Sequence, residues 1–173
     1  DKVGKEYIFV KGEGNDSYEN VLIVAHYDNT NIKINEESTE ATINKGDYYI
    51  IEGDKFTDGN MYVSTSEDVF AYQGIGGANE ANQGMFFVPP LSCESRGDVN
   101  NIAFIDEIGD NTLTGGITIV TKAIATVLIN NIDIGSQPAG INVQGPSTVT
   151  GKNEYVTYKV TGLSENVTVS SSD

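Results

Sequence analysis

With 173 residues and 38% hydrophobic side chains, the chain can bury a core as one domain or as two small halves, which excludes a disordered polymer. Ten Lys plus Arg against 25 Asp plus Glu leave a formal charge of −15, so long-range electrostatics oppose nucleic acid and anionic membranes as partners. No apolar run reaches the ~18 residues of a membrane span, no basic-then-apolar signal opens the chain, and a single cysteine forbids an internal disulfide. The chain is expected to start after any export signal.

From the N-terminus, runs rich in β-branched and aromatic residues predict strands at 7–10, 21–25, 32–34, 48–51, 61–64, 69–72, 85–88, 117–120, 126–129, 155–160 and 167–170. Gly, Asn, Asp or Pro occupies most of the gaps. Residues 99–108 are expected to hold a short turn of helix, and no segment sustains a helical period. Short strands at this spacing must each bury one face against a second sheet, which predicts an all-β, antiparallel sandwich. Ile32 and Ile34 should point inward while Asn31, Lys33 and Asn35 face water. Asn44-Lys45-Gly46-Asp47 and Thr57-Asp58-Gly59-Asn60 supply turn residues that tolerate left-handed backbone.

An internal repeat organises the chain. VLIVAHYDNTNIKIN (21–35) is matched by ITIVTKAIATVLIN (117–130), Thr42 to Ile50 by Thr150 to Val156, and Asn60 to Asp68 by Asn166 to Asp173. The predicted sandwich is therefore built from two related, repeated β-units, residues 1–92 and 93–173. The first copy continues after Asp68 into Val69-Phe70-Ala71-Tyr72 whereas the second stops, so the second unit is expected to be truncated at its C-terminus, with an unpaired edge near 168–173.

Between the copies lies an almost uncharged Gly-rich junction, Val69 to Cys93. Its Gly74-Ile75-Gly76-Gly77 run lacks the helix start that a phosphate-cradling loop requires. Its amides and tyrosine are the mixture used on carbohydrate- and peptide-binding surfaces, which makes Tyr72, Gln73, Asn79, Asn82 and Gln83 the candidate contact residues. The alternative is a loop that packs across the joint, its glycines allowing close approach.

Catalytic chemistry finds little support. His26, the sole histidine, would share a strand side with Asp28, but no nucleophile motif accompanies it. Cys93 reads as a small buried hydrophobe. Asp54, Asp58 and Asn60, or Asp106, Glu107 and Asp110, offer oxygens to Ca²⁺ without the spacing of a calcium loop, and both read as turn chemistry, so no metal or other cofactor is expected. Asn15-Asp16-Ser17 and Asn166-Val167-Thr168 match the three-residue glycosylation pattern, which recurs by chance.

The order Asp28-Asn29-Thr30 before Ile-x-Ile-Asn, then Gly46-Asp47-Tyr48-Tyr49, Val69-Phe70-Ala71-Tyr72-Gln73-Gly74 and Pro89-Pro90-Leu91-Ser92-Cys93, resembles the N-terminal domain of the IgGFc-binding protein family across roughly residues 18–173. Similar domains occur in very large surface proteins of gliding Bacteroidetes, including gliding-motility adhesins exported by type IX secretion. The resemblance implies a cell-surface, non-enzymatic adhesion module within a longer protein. Such a module would contact extracellular polysaccharide or a substratum and the neighbouring domains of its own chain, without inserting into a membrane. Immunoglobulin binding is not carried over, because no motif here is tied to it. The alternative function is a non-binding spacer or stalk.

Overall fold

The computed structural model describes residues 2–76, 84–91 and 97–173. The chain divides into two compact units, one formed by Asp1–Cys93 with Val149–Lys152, the other by Glu94–Thr148 with Asn153–Asp173. Both are all-β and antiparallel, and among the described residues the only helical pieces are single 3-10 turns at Gly53–Lys55 and Ile134–Ser136.

The first unit holds seven strands: β1 (Gly4–Val10), β2 (Val21–Ala25), β3 (Thr30–Ile34), β4 (Thr39–Ile43), β5 (Tyr48–Ile51), β6 (Asn60–Ile75) and β7 (Gly84–Phe87). The long β6 serves two layers. Its first half pairs with β1 and with β3, which carries β4, and its second half pairs with β7 and with β2, which carries β5. The β1 register breaks between Gly4 and Glu6, opposite the change from Val69 to Ser64. A strand that passes from one layer to the next is how an orthogonal sandwich turns its corner.

Period-two alternation decides what each layer buries. Val21, Ile23 and Ala25 of β2 and Ile32 and Ile34 of β3 point into a core with Tyr7, Phe9, Ile51, Met61, Val63, Val69 and Ala71. Asn31 and Lys33 are exposed and Asn35 is half-buried. The expected turns form. Asp47 donates its amide to Asn44 at 2.8 Å, and Thr57 and Asn60 exchange backbone bonds around Asp58 and Gly59, whose φ values of 50° and 81° suit Asp and Gly far better than a β-branched residue.

The second unit holds β8 (Asp98–Ile102), β9 (Glu107–Ile108), β10 (Asn111–Thr112), β11 (Gly115–Lys122), β12 (Val127–Ile129), β13 (Ile132–Asp133), β14 (Asn142–Thr148), β15 (Tyr155–Leu163) and β16 (Val167–Ser171). Its sheets run β11-β15-β14 and β13-β12-β16-β8, with β9-β10 a small hairpin. Val160 and Leu163 of the first sheet pack with Val127, Ile129 and Val167 of the second, the two-layer burial of a sandwich.

Two expectations fail together. Asp98–Ile102, which overlaps the 99–108 segment read as a turn of helix, is a strand, and it pairs with β16, whose other side pairs with β12. Hence Val167–Ser171 is a paired inner strand rather than an open edge. The runs 61–64 and 69–72 also prove to be one strand, because Glu67 and Asp68 between them continue the extended backbone.

Candidate functional site

Because alternate residues of β2 are buried, Leu22 and Val24 must face away from the core, and strand register sets their neighbours. Leu22 lies opposite Ile50 and Tyr72, Val24 opposite Tyr48 and Phe70, Phe87 opposite Tyr72 and Met85 opposite Gly74. The outward side of β5, β2, β6 and β7 is thus apolar and aromatic in consecutive rows. Tyr48 is 64% exposed, Met85 60% and Ile50 44%. Tyr72 meets Phe87 edge-on at 5.8 Å, and His26 lies edge-on to Phe70 at 6.0 Å and to Tyr27 at 4.8 Å.

A groove of about 450 Å³ crosses this face, lined by Asn20, Leu22, Val24, Tyr48, Ile50, Gly74, Gly84 and Met85. Gly74 keeps it open, since a Cβ there would come within 2.7 Å of the Asn20 Oδ1. No charged side chain among the described residues lines the groove. Among the described residues, neither the Asn20 carboxamide nor the Tyr48 hydroxyl has a hydrogen-bond partner, so two neutral polar groups stand beside an apolar floor, the composition of a ligand site.

The second unit shows what a solvated sheet face looks like. Outward positions of β11, β15 and β14 carry Thr118 opposite Lys159, Lys159 opposite Gln144, and Gly116 and Asn142 opposite Thr161. Val120, 37% exposed, and the half-buried Tyr155 opposite Lys122 interrupt the polar pattern.

A family model described as IgGFc binding protein matches residues 1–173. The chain belongs to the IgGFc-binding protein family. No curated protein and no solved structure matches it. The IgGFc-binding family is one of extracellular binding domains rather than of enzymes. No helix among the described residues is long and apolar enough to cross a membrane.

Within this IgGFc-binding domain, Tyr72 lies half-buried on the outward face, beside Leu22 and Phe87. Gln73 points the opposite way: it is 2% exposed, and its Nε2 donates to the Val10 carbonyl at 2.7 Å. Tyr72 and Gln73 therefore do not share a surface. Asn79, Asn82 and Gln83 lie outside the described residues, as does Cys93. Tyr48, Ile50 and Met85 were missed in the sequence. VLIVA and YYII read as strands with one buried face, but runs apolar at both parities do not say which face stays outside; Leu22, Val24, Tyr48 and Ile50 all fall on the parity opposite the core.

Several of the remaining candidates hold turns in place. The Asp28 Oδ1 accepts from the Lys45 amide at 3.0 Å and the Asp106 Oδ1 from the Glu165 amide at 2.8 Å. The Asn166 Oδ1 accepts from the Phe104 amide at 3.3 Å. Among the described residues, no group of three His, Cys, Asp or Glu side chains is placed to hold a metal ion.

Polar groups with fixed partners tie the first unit together elsewhere. The Glu19 carboxylate, fully buried, accepts from the amides of Gly12 and Gly14 at 2.9 Å each. The buried Tyr7 hydroxyl donates to the Val69 carbonyl at 2.6 Å, and burial pushes its pKa up to about 12. Burial would raise the Glu6 carboxyl, but hydrogen bonds from Lys152, at 2.7 Å, and from Tyr62 outweigh it and leave the group below its ordinary value.

Proposed function

We propose that this IgGFc-binding-family domain is a cell-surface adhesion module that contacts extracellular polysaccharide, or a substratum coated with it, through the outward face of β5, β2, β6 and β7. The contrast between the two units carries this reading. Solvent-facing positions of the second unit's β11-β15-β14 sheet are mainly Thr, Asn, Gln and Lys, with Val120 and Tyr155 as exceptions, whereas those of β5, β2, β6 and β7 in the first unit are Tyr, Ile, Leu, Val, Phe and Met. Solubility alone favours the former, and a rimmed apolar face is the mark of an interaction surface.

We further read the two units as copies of one β-unit, divided near residues 92 and 93. Ile34 opposite Val63 and Ile129 opposite Val169 support that reading, since the sequence repeat aligns both pairs. The parent is proposed to be a large exported surface protein of the gliding-motility adhesin type, carried by type IX secretion. The Tyr72-Gln73-Gly74 and Pro89-Pro90-Leu91-Ser92-Cys93 segments support this by their resemblance to such proteins. Weak single sites would add up through many chains on one surface.

A glycan array probed with the chain and with its Tyr72→Ala variant tests the reading. Reproducible hits that the variant loses support adhesion. Uniform silence would leave the spacer function in its place.

A further inference from the structure

We infer that the groove over Leu22 and Val24 takes a neutral polysaccharide, recognised by the apolar C–H face of a sugar ring; this rests on the adhesion reading above. The floor is aliphatic and the walls are Tyr48, Ile50 and Met85, surfaces that pack against C–H bonds and offer no counter-charge to an anion. A purely apolar occupant would strand the two polar groups at the site. The Asn20 carboxamide can both donate and accept, and so can the Tyr48 hydroxyl, which suits the hydroxyl rim of a sugar.

Charge weighs against the acidic polysaccharides. Among the described residues, no lysine or arginine lines the groove, so a uronate carboxylate or a sulfate entering it would be desolvated without a counter-ion. At longer range, a chain of formal charge −15 repels a polyanion before contact. A neutral polymer meets neither penalty, and its binding does not depend on salt.

The test is affinity electrophoresis of the whole chain in gels containing glucan, mannan or galactan, and in gels containing alginate, pectate or chitosan, at low and physiological ionic strength. Retardation by at least one neutral polymer, unchanged by salt, is expected. Tyr48→Ala and Asn20→Ala should each weaken it about tenfold, the size of one lost contact of ~1.4 kcal/mol. Thr118→Ala, on the polar face of the second unit, should leave it intact. Thermal melts confirm that the variants fold. Tighter binding to a charged polymer that fades with salt would overturn the neutral-ligand inference while leaving adhesion standing. Neutral binding indifferent to both groove variants would overturn the groove as its site, and retardation by no polymer would remove the polysaccharide reading itself.

Discussion

Asn35 ends β3 and closes on Tyr62 twice: its amide donates to the Tyr62 carbonyl at 2.8 Å, and its Oδ1 accepts from the Tyr62 amide at 3.0 Å. Its φ of 51° is left-handed, a conformation asparagine tolerates better than most residues. Asn130 does the same to Thr168, at 2.9 and 2.8 Å with φ of 49°. One residue type thus turns the chain out of a strand in each unit and ties it to the neighbouring strand.

Replacing either asparagine by alanine removes the side-chain bond and strains the turn. Asn35→Ala and Asn130→Ala should each cost about 1–2 kcal/mol, read as a lower urea midpoint at unchanged slope. The glycine variants, which keep the left-handed turn, should lose less. Equal alanine and glycine costs would show that the backbone conformation contributes nothing.

Tyr7 predicts an alkaline limb. Its folded pKa of about 12 lies above the ordinary 10.0, so the folded state holds the proton more tightly. The associated stability is complete below pH 10 and is lost as pH rises toward 12. Tyr7→Phe should cost about 1 kcal/mol at neutral pH, from the lost bond to Val69. It should also flatten the fall of thermal midpoint across that window.

Glu6 predicts the opposite limb. Burial raises its pKa, but Lys152 and Tyr62 lower it further, so the net shift is downward. The stability it contributes is present above the ordinary value of 4.5 and is lost as pH falls through the lower folded value. Glu6→Gln should show a shallower acid decline than the parent chain in melts recorded below pH 5. An unchanged acid profile would mean that other carboxylates control it.

Glu19 pins the loop between β1 and β2. Glu19→Gln presents an amide hydrogen to one of two amide donors, so a loss of about 1–3 kcal/mol is expected. Hydrogen exchange at Gly12 and Gly14 provides the local readout. Both amides should exchange faster in Glu19→Ala, and protection equal to the parent's would show that the carboxylate does not hold the loop.

Strand positions were legible wherever one parity was apolar and the other polar, as in Thr30–Ile34, and turns were legible where Gly or Asp supplied left-handed backbone, as at Asp58-Gly59. Thr39–Ile43 and Asn142–Thr148 escaped notice because mostly exposed strands carry little apolar alternation. Asp98–Ile102 was misread for the same reason: four of its five residues are exposed, and its strand character comes from pairing with β16. The candidate site was half legible. Tyr72 lies on the outward face, while Gln73, next to it, is drawn into the core by the one-residue alternation of a strand.

What the sequence determined by itself was local: the β class, the positions of most strands and the turns that end them, since these follow from side-chain shape and backbone tolerance within a few residues. Tertiary pairing alone decided which apolar side chains remained outside. Leu22, Val24, Tyr48, Ile50 and Met85 are as hydrophobic as the core, and a strand has two faces but only one layer to bury against. Register sets Val21, Ile23 and Ile51 inward, and the residues between them are left to form an apolar surface around a glycine.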